Sequence, residues 1–305
     1  MPLSTDQQML AKRAKLVKAL RTFLDQRGLI EVQTPVITRS GITDLNIESV
    51  KLSADLGYLR TSPEYAHKQL LARGVGDIYE IGPVFRAEEA GHLHRTEFTL
   101  LEWYRLKTNW KALAQEALDL CQHALRALGH PAQTEHWRDW SSCFTRAKLP
   151  DPLAADDCEI IQATQDLPDD CDREMRLDWL FSSQIQRNLP EHGLTIVYGY
   201  PAAQAALAKL DPSDARKSLR FELFCGSLEL ANGYQELTDW REQLKRFEND
   251  NRRRQALGRH SMPIDQELVA ALKRGLPECA GIALGVDRLA MKALEVTDIA
   301  EVRSF

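Results

Sequence analysis

At 305 residues, 44% hydrophobic and 27% charged, the chain has the composition of a soluble globular protein able to bury a substantial core. Its formal charge of −5 excludes a global pull toward nucleic acid, and it shows neither a secretion leader nor an apolar run of membrane-spanning length. Cys121, Cys143, Cys158, Cys171, Cys225 and Cys279 are scattered with no C-x-x-C pair, which favours free thiols in a reducing cytosol over disulfides or zinc ligands.

Residues 6–27 carry Leu10, Leu16, Val17, Leu20, Phe23 and Leu24 at helical spacing, with Gly28 as a stop. The early cluster Lys12, Arg13, Lys15, Lys18 and Arg21 reads as a solvated helix face. A strand over 29–34 closes at Pro35. Ser62-Pro63-Glu64 opens a helix running to Arg73: a capping hydroxyl, a proline at the first position and an acid in the first turn. Strands are predicted over 78–88 and 96–104, then a helix over 109–128 ended by Gly129 and Pro131. Residues 130–175 are acidic and aperiodic, and a stretch of about 130–190 reads as a peripheral helical insertion carrying little chemistry. Strands over 194–198, 218–224 and 228–236, a charged helix over 239–257, a strand over 280–284 and a helix from Asp287 complete an α+β pattern, a largely antiparallel sheet flanked by helices. No repeat or linker divides the chain, so 1–305 reads as one domain.

Residues 85–104 are the most informative. Period-two alternation puts Arg86 and Glu88 on one face, and Phe98, Leu100, Glu102 and Tyr104 on one face of the next strand, with Thr99, Leu101 and Trp103 opposite. A sheet surface with a guanidinium, two carboxylates, a ring and a phenol suits a pocket for something both anionic and cationic. If Cys225-Gly226 is a two-residue turn, Glu222 stands directly across from Glu229. Opposed carboxylates repel unless a cation joins them; the alternative is that one of them faces solvent. Glu229 is out of phase with Asn232 and Glu236, so all three share a pocket only if the strand bulges, with Gly233 the expected place. Gly281-Ile-Ala-Leu-Gly285-Val-Asp-Arg288 sets two glycines ahead of a helix whose first turn carries an arginine, a pattern open to a phosphate or to simple helix–sheet packing.

With these residues in view, the chain resembles the catalytic domain of class II aminoacyl-tRNA synthetases, most closely the lysyl branch. Arg27-Gly28-Leu-Ile-Glu-Val-Gln-Thr-Pro35, Phe85-Arg86-Ala-Glu88 with Glu97-Phe98-Thr99, and Gly285-Val-Asp-Arg288 are similar to the family's three motifs, in order. Glu229-Leu-Ala-Asn232-Gly233-Tyr-Gln-Glu236 is similar to a signature of the lysine-using branch. The resemblance implies ATP and Mg²⁺, with Arg86 and Arg288 catalytic. It places Arg86, Glu88, Arg95, Phe98, Glu229, Leu230, Gly285 and Arg288 around the nucleotide, the adenine lying between Phe98 and Arg288. Ser62, Pro63, Glu64, Glu102, Tyr104, Asn232, Glu236 and Ala283 would surround the amino acid, with Glu236 and Tyr104 on its distal ammonium. Glu222 and Glu229 would hold the metal.

Only 26 residues precede Arg27, leaving no room for the anticodon-binding barrel of lysyl-tRNA synthetases. This, with alanine rather than glycine at 283, resembles the paralogous elongation factor P–lysine lysyltransferases. That branch implies a cytoplasmic homodimer that activates (R)-β-lysine or lysine and attaches it to elongation factor P, with tRNA not a partner. The rival expectations are a minimal tRNA-charging enzyme and a non-catalytic binding paralogue. One departure stands out: His94-Arg95-Thr96-Glu97-Phe98 replaces the family's usual His-Asn-Pro-Glu-Phe.

Overall fold

The structure is a computed structural model and describes residues 5–53, 55–87 and 89–302. Its centre is an eight-stranded mixed sheet of β1 (Ile30–Glu31), β2 (Ile78–Phe85), β3 (Glu97–Leu106), β4 (Glu135–Asp139), β5 (Leu194–Tyr198), β6 (Arg220–Cys225), β7 (Leu228–Gln235) and β8 (Cys279–Gly285). Their order is β1-β2-β3-β8-β7-β6-β5-β4; the two outermost pairs are parallel and the five inner pairings antiparallel. The α+β expectation holds.

One face is closed by α1 (Thr5–Asp25), α3 (Trp110–Ala127) and α9 (Val286–Leu294). Leu16, Leu20 and Leu24 of α1, Leu113 and Leu118 of α3 and Leu289 of α9 pack on Leu101, Trp103, Phe221, Leu223, Ile282 and Leu284 in one buried cluster. These strand positions alternate with those facing the other way, as the pleat requires. Leu10, assigned to the apolar stripe, is instead 46% exposed. Arg13 leaves the solvated set as well: it donates to Asp287 at 2.6 Å and Thr99 at 3.0 Å, tying α1 to α9 and β3.

The opposite face is only partly covered. Over one end stand α2 (Glu64–Ala72), α7 (Trp240–Ala256) and α8 (Gln266–Gly275), meeting the sheet through Leu71, Tyr104, Phe247 and Leu268. Over the other stand α4 (Trp140–Arg146), α5 (Asp157–Ala163) and α6 (Arg173–Leu180), packed through Trp140, Phe144 and Phe181 on Val197 and Phe224. The supposed helical insertion therefore contains β4, which extends the sheet beside β5. The strand expected over 29–34 shrinks to the two residues of β1, and α8 was not anticipated. Between the two helical covers the sheet surface is left open.

Candidate active site

That uncovered surface floors a cavity of about 750 Å³. Its chemistry follows from strand register. Glu222 pairs with Asn232, Asn232 with Ala283, Ala283 with Glu102, and Glu102 with Glu80, so five strands place one row across the sheet. The parallel row next to it runs Arg220, Tyr234, Gly281, Tyr104, Ile78. Phe98, Leu100, Glu102 and Tyr104 all line the cavity, as the alternation of β3 predicts. A side chain at Gly281 could not be accommodated: its Cβ would overlap the Tyr104 ring and lie 2.5 Å from Glu236 Oε1. Close approach of pocket side chains, not helix packing, fixes that glycine.

At one end the cavity is acidic. Pro63, not the expected Ser62, is the N-cap of α2; Ser62 Oγ, one residue earlier, accepts from the Glu64 backbone N–H at 3.0 Å and donates to Glu102 Oε2 at 2.6 Å. Tyr104 donates to Glu102 Oε1 at 2.8 Å. Lys68, one turn into α2, sets its ammonium 2.6 Å from Glu64 Oε1 and 2.7 Å from Glu236 Oε2. Burial pulls the Lys68 pKa down, but Glu236 and Glu64 outweigh it and hold the side chain firmly cationic. Behind this wall His67 is wholly enclosed, its Nε2 3.1 Å from Glu80 Oε2 and its Nδ1 3.6 Å from Glu102 Oε1, its ring edge-on to Tyr104. Burial disfavours the imidazolium, yet Glu102 and Glu80 together raise its pKa. Arg60 closes the chain with a 2.6 Å bond to Glu80 Oε1, and Thr34 donates to Oε2. Burial alone would raise the Glu80 carboxyl, but hydrogen bonds from His67, Thr34 and Arg60 bring it down to about 2.

At the other end the cavity is basic and more open. Arg86 lies over Phe98, 5.0 Å from the ring centroid, and donates to Glu89 at 3.0 Å, while its Nε is buried without a partner. Arg288 donates to the Glu229 carbonyl at 3.0 Å, to Glu229 Oε2 at 3.4 Å and to His94 Nε2 at 2.6 Å. The last bond requires a neutral imidazole, and burial followed by the Arg288 charge lowers the His94 pKa accordingly. Orphaned polar atoms also occur farther along: Asn232 Oδ1 and Glu236 Oε1 lack hydrogen bonds. Buried polar groups are normally satisfied, so orphans on a cavity wall are groups disposed to meet a ligand.

The acidic hairpin differs from expectation. Cys225 pairs with Leu228, so the turn is Gly226-Ser227, with Gly226 at a positive φ that glycine adopts freely. Glu222 faces Asn232 rather than Glu229, which stands opposite Phe224. The bulge that the phase argument demanded does exist, but near Leu230, between Leu223 and Phe224 on the partner strand. Gly233 stays in the regular ladder, where the Phe221 ring lies against it and leaves no room for a Cβ. Because of the extra residue, Glu229 and Asn232 come to one face, and Glu222 becomes a diagonal neighbour of Glu229.

Glu222 is buried, accepting from Arg220 at 2.5 Å and Tyr200 at 2.6 Å; burial raises its pKa, Arg220 lowers it, and Glu229 raises it again. Among the described residues no group of three or more His, Cys, Asp or Glu gathers to hold a metal. Two carboxylates that still repel suit an ion taking its other ligands from phosphate and water, the usual habit of Mg²⁺. Glu229 fits that ion as a partly exposed carboxylate, whereas Glu222 can join it only by releasing Arg220.

Of the residues singled out in the sequence, Ser62, Glu64, Arg86, Arg95, Phe98, Glu102, Tyr104, Glu229, Leu230, Asn232, Glu236, Ala283, Gly285 and Arg288 line this one cavity. Pro63 begins the turn of α2 and Glu222 sits behind Arg220; neither is on the lining. Glu88 lies outside the described residues. Sequence reasoning missed Lys68, His67, Arg60, Glu80 and Arg220. For Lys68 the signal was present, since a lysine four residues after Glu64 shares its helix face.

The six cysteines form no disulfide, and no helix among the described residues is long and apolar enough to cross a membrane. Residues 4–305 match the family described as tRNA synthetases class II (D, K and N). A protein of Mannheimia succiniciproducens named elongation factor P–(R)-β-lysine ligase is 42% identical over 305 residues, 96% of this chain and 93% of its own. Proteins of the same name from Proteus mirabilis and Haemophilus influenzae strain PittGG are 42% and 41% identical, covering 97% and 99% of this chain and 94% and 96% of theirs.

Proposed function

The chain belongs to the class II tRNA synthetases of the D, K and N group, and on that footing we propose that it activates (R)-β-lysine or lysine with ATP and transfers the acyl group to a lysine side chain of elongation factor P. The observation that carries this reading is the polarity of the cavity. One end gathers three glutamates, Glu102 and Glu236 buried and Glu64 nearly so, and the other presents Arg86 and Arg288. Buried acids are strongly disfavoured without cationic partners, so the acidic end suits an amino acid with two ammonium groups. The basic end suits a triphosphate. The name shared by the full-length relatives supplies the acceptor.

In the first step a donor carboxylate oxygen attacks the α-phosphorus, and the bond from that phosphorus to the pyrophosphate oxygen breaks. Glu102, Asn232 and Glu236 hold the donor's amines so that its carboxylate points along the floor toward Arg86. The orphaned Arg86 Nε and the Arg288 guanidinium meet the charge that builds on the phosphoryl oxygens. Glu222 and Glu229 would hold the accompanying magnesium, which supplies charge neutralisation on the phosphates. In the second step the acceptor lysine's neutral amine attacks the acyl carbon, AMP departs, and one proton is lost from the new amide nitrogen. The same reading takes the exposed edge marked by Ile30 and Ile37, 52% and 51% exposed, as a self-association face.

The decisive experiment gives purified protein ATP with lysine or (R)-β-lysine, then elongation factor P or tRNA, and weighs the products. The expected outcome is one aminoacyl mass added to the protein acceptor; sedimentation of the same preparation reads whether two chains associate. Charging of tRNA alone, or no amino-acid-dependent pyrophosphate exchange, would overturn the proposal.

A further inference from the structure

This inference rests on the reading of the acidic end as the donor pocket. Glu64 and Glu236 share one interior ammonium, that of Lys68, and all three side chains are screened from water, at 14%, 1% and 2% exposure. Lys68 meets Glu236 Oε2 at 2.7 Å, while Glu236 Oε1 has no hydrogen-bond partner. The surroundings offer little further compensation. From β3, Glu102 adds a negative charge and Tyr104 gives its proton to Glu102 rather than Glu236. From β8, the Cys279 thiol is pushed up by burial and then by Glu236, and stays neutral. On α7, Glu242 and Arg246 pair with each other at 3.1 Å. Behind the wall, Arg60 and His67 are engaged by Glu80, His67 also standing beside Glu102. The Glu64–Lys68–Glu236 cluster therefore holds one buried negative charge in excess, a state that proteins relieve by taking up a proton.

We propose that this cluster is a proton-exchange site: in the empty pocket one proton resides on the Glu64–Glu236 pair, and the donor's distal ammonium displaces it to solvent on binding. Charge is conserved, since one cation enters as one proton leaves. The cluster then admits a cationic side chain without a net change in buried charge, whereas a neutral side chain leaves the proton in place. In accord with this, burial pushes the Glu236 carboxyl up to about 8 against the pull of Lys68, and Glu64 is raised as well. The sign follows: below about pH 8 donor binding must expel a proton, so affinity rises with pH, and above it the dependence levels off until the donor ammonium itself deprotonates.

The test titrates the intact protein calorimetrically with lysine at pH 7 in phosphate and in Tris, buffers of different ionisation enthalpy. We expect close to one proton released per lysine bound, and a Kd that falls by up to tenfold between pH 6.5 and 7.5. A second readout needs no ligand: with glutamate side chains carbon-13 labelled at the carboxyl, one resonance of the free protein should titrate near pH 8 and vanish in Glu236→Gln. Identical binding enthalpies in the two buffers would overturn the proposal, as would a free protein whose glutamates are all ionised by pH 6. Failure of lysine to bind at all would instead strike the donor reading, and the resonance would still report whether the proton is there.

Discussion

The two ends of the cavity handle charge by opposite means. At the acidic end each carboxylate is set among interior partners: Glu102 accepts from Ser62 and Tyr104, Glu80 from Arg60 and Thr34, and Lys68 serves Glu64 and Glu236 together. At the basic end Arg86 and Arg288 are about a fifth exposed, and their carboxylate partners are more distant, Glu89 at 3.0 Å and Glu229 Oε2 at 3.4 Å, with His94 the close neighbour of Arg288 at 2.6 Å. A small ammonium makes few contacts, so its site must be rigid and built in advance. A triphosphate brings many charges of its own, and side chains that can swing from a carboxylate to a phosphate oxygen suffice for it.

Arg86→Ala breaks the comparison at the loose end. Pyrophosphate exchange should fall about 10²- to 10³-fold, the usual cost of deleting one transition-state donor, with little change in thermal midpoint. A large loss of stability would mean that Arg86 belongs to the rigid scaffold after all. Glu102→Gln attacks the rigid end. The KM for the amino acid should rise about 10- to 100-fold, the range for losing one charged hydrogen bond, while the KM for ATP stays put. Equal shifts in both would show that the two ends are not separable.

The smallest effect sharpens the contrast within the acidic end itself. The Glu80 carboxyl is held at about 2, below its unfolded value, so the stability it contributes is present above about pH 4.5 and is lost as pH falls toward 2. The Glu236 carboxyl is pushed up to about 8, so it costs stability progressively as pH rises from about 4.5 to 8. Urea midpoints across pH 2 to 9 should therefore show Glu80→Gln flattening the acid limb and Glu236→Gln flattening the neutral one. The opposite assignment would contradict the partner sets described above.

Much of this was legible in local pattern. The two faces of β3, the start of α2 and the need for a bulge all follow from periodicity and turn chemistry within a dozen residues. The long-range part was hidden. No local signal says that β8 lies between β3 and β7, so the row from Glu222 through Asn232, Ala283 and Glu102 to Glu80 could not be assembled, nor Glu80 suspected. His67 looked like an ordinary helix residue until the sheet supplied a carboxylate on each side. The hairpin slipped by one residue because Gly226 serves as the first turn position, not the second. The short helix α8 did carry its signs, Asp265 as cap before Leu268, Val269 and Leu272, and simply went unread. Strand β4, Glu-His-Trp-Arg-Asp, has no clean alternation to reveal it.

The single inserted position at Leu230 joins two stretches of the cavity wall. Ahead of it the chain delivers Glu229 to the cavity, and after it the same strand delivers Asn232 to that cavity as well. Flatten the bulge without shortening the chain and every later side chain of β7 turns over, driving Asn232 into the α3 side of the sheet and bringing Gly233 up in its stead. The unpaired residue therefore keeps both side chains on one face, and a substitution that straightens β7 at constant length would part them.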